Sequence, residues 1–178
     1  PDIFDMLEMS NKTSEEVFSL LDNLLKWTKS QLGKLTVIPQ KLDISGLADG
    51  VVEVMNSVAE VKHIKLIRTD HESFFVYVDI EMIKSVLRNL ISNAVKFSNP
   101  DSEIKVGIKA EDGKVIVSVT DSGKGIKKED QHKLLKDSTH FTTYGTNSEE
   151  GSGLGLLLCR DFARKNGGEL WFESEENL

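Results

Sequence analysis

Apolar residues recur at three- and four-residue intervals along the first part of the chain, at Ile3, Phe4, Leu7, Val17, Phe18, Leu20, Leu21, Leu24, Leu25, Trp27 and Leu32, with Gly33 as a stop. This spacing predicts one long helix over residues 3–33. Its weak point is 10–14, where Thr13 and Glu16 match a capping box that could start a new helix. With Leu20-Leu21 and Leu24-Leu25 both in the stripe, one neighbour cannot cover it, so a bundle or dimer helix is expected rather than one lying on its own domain. Residues 35–42 hold Pro39 and the β-formers Val37 and Ile38 and read as an extended connector.

From residue 43 the pattern changes. Asp43 or Ser45 can cap a helix running to about Val61, with Leu47, Val51, Val54, Met55 and Val58 on one side. Residues 64–67 and 74–78 read as strands, and Asp79 as the N-cap of a helix to about Phe97, ended by Asn99-Pro100. Residues 103–110 and 114–120 alternate apolar and polar around Glu111-Asp112-Gly113, a hairpin with one buried sheet face. A short helix is expected over 127–136 and a helix over 154–165, ended by Asn166-Gly167-Gly168, with a last strand over 169–174. Between them, 137–150 has no periodicity and is long enough for a functional or disordered loop. From residue 43 onward this predicts an α+β sandwich, with helices on one face of a mixed sheet.

Composition narrows the classes. With 178 residues and 39% hydrophobic content the chain can bury a real core, while a formal net charge of −7 argues against general nucleic-acid binding. Any phosphate site must therefore be local. The single cysteine, Cys159, lies among Leu156, Leu157, Leu158 and Phe162 and reads as a buried free thiol in a reducing, cytoplasmic setting. No apolar run reaches the roughly 20 residues of a membrane span, so no membrane contact is expected from these residues. The start at Pro1-Asp2, without Met, suggests a cut fragment.

Candidate chemistry lies in three places. On the helix after Asp79, Asn89, Asn93 and Lys96 follow at spacings of four and three, offering amide oxygens to a hydrated magnesium ion and an ammonium to phosphate. Taken alone, Asn-x-x-x-Asn is more readily a solvated polar strip. Asp121 ends a strand, where its carboxylate can accept from an exocyclic amine while the glycines of Asp121-Ser122-Gly123-Lys124-Gly125-Ile126 let a ring approach; a plain turn is the ordinary alternative. Gly151-Ser152-Gly153-Leu154-Gly155-Leu156 opens a helix, where free N–H groups and the dipole favour an anion, though such strings are often only loops. Their order along the chain is what makes the set specific: an Asn-bearing helix, a strand, Asp-x-Gly-x-Gly, a long loop, then glycines at a helix start.

In that order, residues 89–98 resemble the N box of sensor histidine kinases, residues 121–126 their G1 box and residues 151–156 their G2 box. Phe141-Thr142-Thr143-Tyr144-Gly145-Thr146 resembles the lid of hybrid two-component sensors, and residues 21–28 are similar to the second helix of the dimerisation and phosphotransfer domain. The resemblance implies a Bergerat-type ATP-binding sandwich preceded by one long bundle helix. Residues 1–36 would be part of the dimerisation domain, 37–42 a linker, and 43–178 the catalytic domain, truncated before its last strand. It further implies that Asp121 binds the adenine amine and that Phe97 flanks the nucleoside. Asn93 and Asn89 would hold magnesium, and Lys96 and the backbone of Gly153, Leu154 and Gly155 the phosphates. Gly123, Gly125, Ile126, Thr142, Thr143, Gly151, Ser152 and Leu156 would complete the ATP pocket, with Asn89 and Lys96 closest to catalysis.

One position separates the relatives. Hydrolytic members of the wider family carry a glutamate base four residues before the magnesium asparagine; here that position is Asn89, which cannot take a proton at neutral pH. An ATP-hydrolysing clamp is thereby disfavoured against a kinase, with a catalytically silent docking module as the other alternative. None of His63, His71, His132 and His140 has the context of the family's phosphoacceptor, a histidine followed by Glu or Asp and then Pro, so all four read as surface histidines. The implied partners are an acceptor-histidine helix, a response-regulator receiver domain and a second copy in the parent protein, which could be anchored in the inner membrane.

Overall fold

The computed structural model describes residues 3–134, 145–146 and 153–176. It divides into two compact units, Pro1–Thr36 and Val37–Leu178.

The first unit is one helix, α1 (Ile3–Gln31), continuous through the predicted weak point. There Ser14 Oγ donates to Ser10 O at 2.9 Å, a bond back one turn within the continuous helix. Gly33, at φ +64°, ends it as expected, with Lys34 N reaching back to Lys29 O. Within this unit Phe18, Leu21, Leu24 and Leu25 are exposed.

The second unit begins with β1 (Gln40–Asp43) and α2 (Ile44–Glu60), then β2 (Lys65–Arg68), β3 (Phe75–Val78) and α3 (Ile80–Phe97). β4 (Glu103–Glu111), β5 (Lys114–Thr120), the single turn α4 (Lys128–Gln131) and α5 (Gly155–Lys165) follow. Of the two candidate caps for α2, the fold uses Asp43, whose Oδ1 accepts from Ser45 N at 3.1 Å. The Ser45 hydroxyl instead donates to Glu72 O. Asp79 caps α3 as expected, its Oδ1 accepting from Met82 N at 3.1 Å. Asp79 N donates to Asn166 Oδ1 at 2.7 Å, and Asp79 Oδ2 accepts from Ile38 N at 2.9 Å. One buried residue thus ties the start of α3 to the end of α5 and to the connector.

Among the described residues the strands form two sheets, an antiparallel pair β1-β3 and a mixed sheet ordered β2-β4-β5, with β2 parallel and β5 antiparallel to β4. In the β4–β5 hairpin, Asp112 and Gly113 both take positive φ, 50° and 74°, the signature of a two-residue type I′ loop. Ile104, Val106 and Ile108 of β4 face inward against Val51, Val52 and Met55 of α2 and Leu87, Ile91 and Val95 of α3, giving one continuous core. This is the α+β sandwich that the pattern predicts.

Three expectations change. β1 lies where the sequence reads as connector; its short, polar sequence gives no alternation, and only pairing with β3 makes it a strand. Of the helix expected over 127–136, the described residues, which reach 134, form only α4, because Lys127 to Lys133 offers no apolar stripe to bury. Residues 169–174 keep a strand's alternation, with Leu170, Phe172 and Ser174 half-buried, but form no ladder among the described residues. Alternation follows from one-sided burial, whereas a strand also needs a backbone partner.

Candidate functional site

The site is built on the C-terminal half of α3, whose apolar stripe is spent on the core. Asn89, Asn93 and Lys96 lie beside that stripe, all half-buried, and Phe97 closes the helix. Asn89 donates through its amide to Ser85 O at 3.1 Å, and its Oδ1 lies against the start of α5: a Cβ built on Gly155 would stand 3.0 Å from it. Glycine at 155 lets the two helices approach there. Leu154, the residue before α5, makes no side-chain cap hydrogen bond. Gly153 just ahead takes φ +69°. Leu154 itself is buried and Leu156 half-buried, so their side chains serve packing.

The Asp121 turn docks on the same helix end. Asp121 Oδ1 accepts from Gly123 N at 2.9 Å, an Asx turn that leaves the exposed carboxylate its second oxygen. Gly123 is pressed against Phe97: a Cβ there would fall within contact distance of the Phe97 carbonyl oxygen, and Lys124 N donates to that oxygen at 3.3 Å. Lys96 Nζ and Lys124 Nζ lie 5.1 and 4.9 Å from the centroid of the Phe97 ring, two cation–π contacts that gather positive charge at the end of α3. The backbone of Gly125 and Ile126 faces the C-terminal segment, a Cβ built on Gly125 falling against the Glu175 carbonyl. Ile126 N donates to Ser174 Oγ at 2.9 Å, and Gln131 Nε2 donates to both Ile126 O and Ser174 O at 2.9 Å.

Asn89, Asn93, Lys96, Phe97, Asp121, Gly123 and Gly155 are therefore carried by elements that meet along the C-terminal half of α3, the start of α5 at Asn89 and the Asp121 turn at Phe97. Thr142, Thr143, Gly151 and Ser152 lie outside the described residues, as does His140, while His63, His71 and His132 are not buried in the core. Burial pushes the Cys159 thiol up to about 12, so it is a neutral core group and no nucleophile. Among the described residues no cluster of acidic, histidine or cysteine side chains could hold a metal ion alone. The donors present are neutral amide oxygens, which suit a magnesium ion that brings phosphate oxygens and water with it.

Sequence reasoning overlooks Lys62 and Lys124. Lys62, only 7% exposed, donates from Nζ to Val95 O and Lys96 O at 3.1 Å each and to Thr146 Oγ1 at 2.9 Å. Between Val61 and His63 it belongs to no periodic pattern, so no sequence signal marks it. Lys124 is visible only as the spacer of a Gly-x-Gly string.

Residues 78–177 match the family described as histidine kinase-, DNA gyrase B- and HSP90-like ATPase. The adaptive-response sensory kinase SasA of Crocosphaera subtropica is 35% identical over 157 residues, covering 87% of this chain and 41% of that protein. The chain thus spans less than half the length of that relative. Among solved structures, the catalytic domain of histidine kinase ThkA is 30% identical with a TM-score of 0.67, covering 79% of this chain and 90% of that one. The Acinetobacter baumannii histidine kinase AdeS, at 20% identity, shares the fold with a TM-score of 0.76 over 99% of this chain and 81% of that one. The match runs from the last residue of β3 through α3, the Asp121 turn and α5, the same elements that meet along the C-terminal half of α3, and it makes this chain a member of the histidine kinase-, DNA gyrase B- and HSP90-like ATPase family.

Proposed function

We propose that this chain is the ATP-binding catalytic part of a hybrid sensor histidine kinase. Residues 1–36 contribute one dimerisation helix, 37–42 link it, and 43–178 bind nucleotide. The observation that carries this reading is the convergence of Asn89, Phe97, Gly123 and Gly155, with a glycine at each point where a loop or helix start meets α3. Relatives named as a sensory kinase and as a sensor protein support it.

In this reading the free oxygen of Asp121 accepts the adenine amine, and Phe97 flanks the nucleoside. Lys96 and the N–H groups opening α5, at Gly153, Leu154 and Gly155, neutralise phosphate oxygens. Asn93 and Asn89 would hold a magnesium ion, which would supply charge neutralisation at the phosphates. An unprotonated imidazole nitrogen on a separate helix attacks the γ-phosphorus; the P–N bond forms as the bond to the bridging oxygen breaks, and ADP leaves with that electron pair. A neutral imidazole is already nucleophilic, so Asn89 suffices where a hydrolase needs a carboxylate. The phosphoryl group then passes to a receiver-domain aspartate of a response regulator. The parent works as a homodimer, with this part in the cytoplasm.

The test is transfer in trans. The chain is incubated with magnesium and γ-labelled ATP, with and without a separate helical polypeptide carrying a His-Glu or His-Asp acceptor. Label on the acceptor histidine and none on the chain itself is expected. Nucleotide binding without transfer would leave a docking module, steady phosphate release would indicate a hydrolytic clamp, and self-labelling on histidine would refute the absence of an acceptor here.

A further inference from the structure

A helix ends with carbonyl groups that have no partner inside the helix, and a loose last turn spreads the side chains it carries over many positions. In α3 that turn carries Lys96 and Phe97, and its carbonyls are all taken. Ser98 N donates to Ala94 O at 3.0 Å. Lys62 Nζ supplies both Val95 O and Lys96 O at 3.1 Å, and Lys124 N supplies Phe97 O. Thr146 N also reaches Lys96 O at 3.1 Å, while Thr146 Oγ1 donates to Ser98 O at 2.8 Å and accepts from Lys62 at 2.9 Å.

Lys62 comes from the turn after α2, far along the chain, and its ammonium is buried. Burying a charge is expensive unless it is fully hydrogen-bonded, and a helix C-terminus is where a cation is best received. A neutral side chain could fill the same space at lower desolvation cost. What the lysine adds is one donor group that clamps two successive carbonyls and the Thr146 hydroxyl together.

We infer that Lys62 is a positioning residue for the nucleotide, fixing the last turn of α3 so that Lys96 and Phe97 stay aimed at the phosphates and the nucleoside. This rests on the ATP-binding reading above. The test measures the Kd for magnesium-ATP and the unliganded melting curve of the full chain and its variants, at a temperature where each is folded. Lys62→Met is expected to weaken binding about tenfold, the scale of losing hydrogen bonds from a charged donor. Lys62→Arg should recover part of that loss. Thr146→Val should weaken binding less, and the double variant no more than Lys62→Met alone. Lys109→Met, at an exposed strand position, is the control that should change nothing.

A purely structural role would lower the melting temperature and leave the Kd of the folded protein unchanged, and that result overturns the inference. Should Lys62→Met fail to fold, Lys62→Arg and Thr146→Val decide: weakened binding in Thr146→Val supports it, and unchanged binding in both overturns it. If the unsubstituted chain binds no ATP, the functional reading itself fails and the inference with it, which only that measurement can reveal.

Discussion

Replacing Gly123 with alanine tests how tightly the Asp121 turn is docked. A Cβ at 123 would stand 2.8 Å from Asp121 Oδ1 and 2.9 Å from the Phe97 carbonyl carbon, and closer still to the Phe97 oxygen. Comfortable separations begin near ~3.5 Å. The Asp121 side chain can rotate away, but the Phe97 carbonyl belongs to the end of α3 and is held by Lys124 N, so the turn must move instead. Overpacking of this kind costs roughly 1–3 kcal/mol, and losing the Lys124–Phe97 hydrogen bond about 1 more. For a chain of 178 residues the expected loss is on the order of 5–15 °C in Tm. The same shift carries the Asp121 carboxylate with it, so ATP affinity should fall at least about tenfold. Gly50→Ala gives the opposite sign: Gly50 is exposed inside α2 with nothing within 4 Å of a built Cβ, so stability should rise by about 0.5–1 kcal/mol. Thermal melts with and without magnesium-ATP read both. A Gly123→Ala protein that melts with the parent and binds ATP equally well would refute the reasoning.

Three further outcomes are expected. Gly155→Ala brings a Cβ to 3.0 Å from Asn89 Oδ1; since Asn89 is tethered to Ser85 O, the amide must turn, and magnesium-ATP affinity should fall while Tm changes by little, measured by titration calorimetry. Asn166→Ala removes the acceptor of Asp79 N and the donor to Phe162 O, and should cost about 1–3 kcal/mol in urea denaturation by leaving a buried N–H unpaired. The Cys159 thiol, raised by burial from 9.0 to about 12, stays protonated when folded while the unfolded chain ionises, so stability is unaffected below about pH 9. As pH rises from about 9 to about 12 it should fall by up to ~1.4 kcal/mol per pH unit from this group, a slope that Cys159→Ala removes in denaturation curves taken across that window.

What can be read from the sequence is what depends on neighbours along the chain. The α3 stripe, its Asp79 cap and the Asp112-Gly113 turn each follow from local periodicity or backbone preference, and the fold uses all three. β1 is invisible because four polar-leaning residues become a strand only through β3, and the alternation of 169–174 cannot reveal whether a ladder partner lies alongside. The site divides in the same way. Asn89, Asn93, Asp121 and the glycines are legible from residue type and order. Lys62 is not, because its role exists only where three distant segments meet.

Asp79 fixes one end of α3 through Met82 N, Ile38 N and Asn166, and Lys62, Thr146 and Lys124 fix the other. Helix ends ordinarily fray first and exchange their amide hydrogens with solvent fastest. With both ends of α3 anchored to other elements, neither can open without breaking contacts to the connector, α5 or the loops. Amide exchange in α3 should therefore be nearly uniform from end to end and slow together with the β4 amides, as one cooperative unit. The face of α3 that carries Asn89, Asn93, Lys96 and Phe97 would then be present whole or absent whole, with no half-open state in which Phe97 is loose and Asn89 still in place.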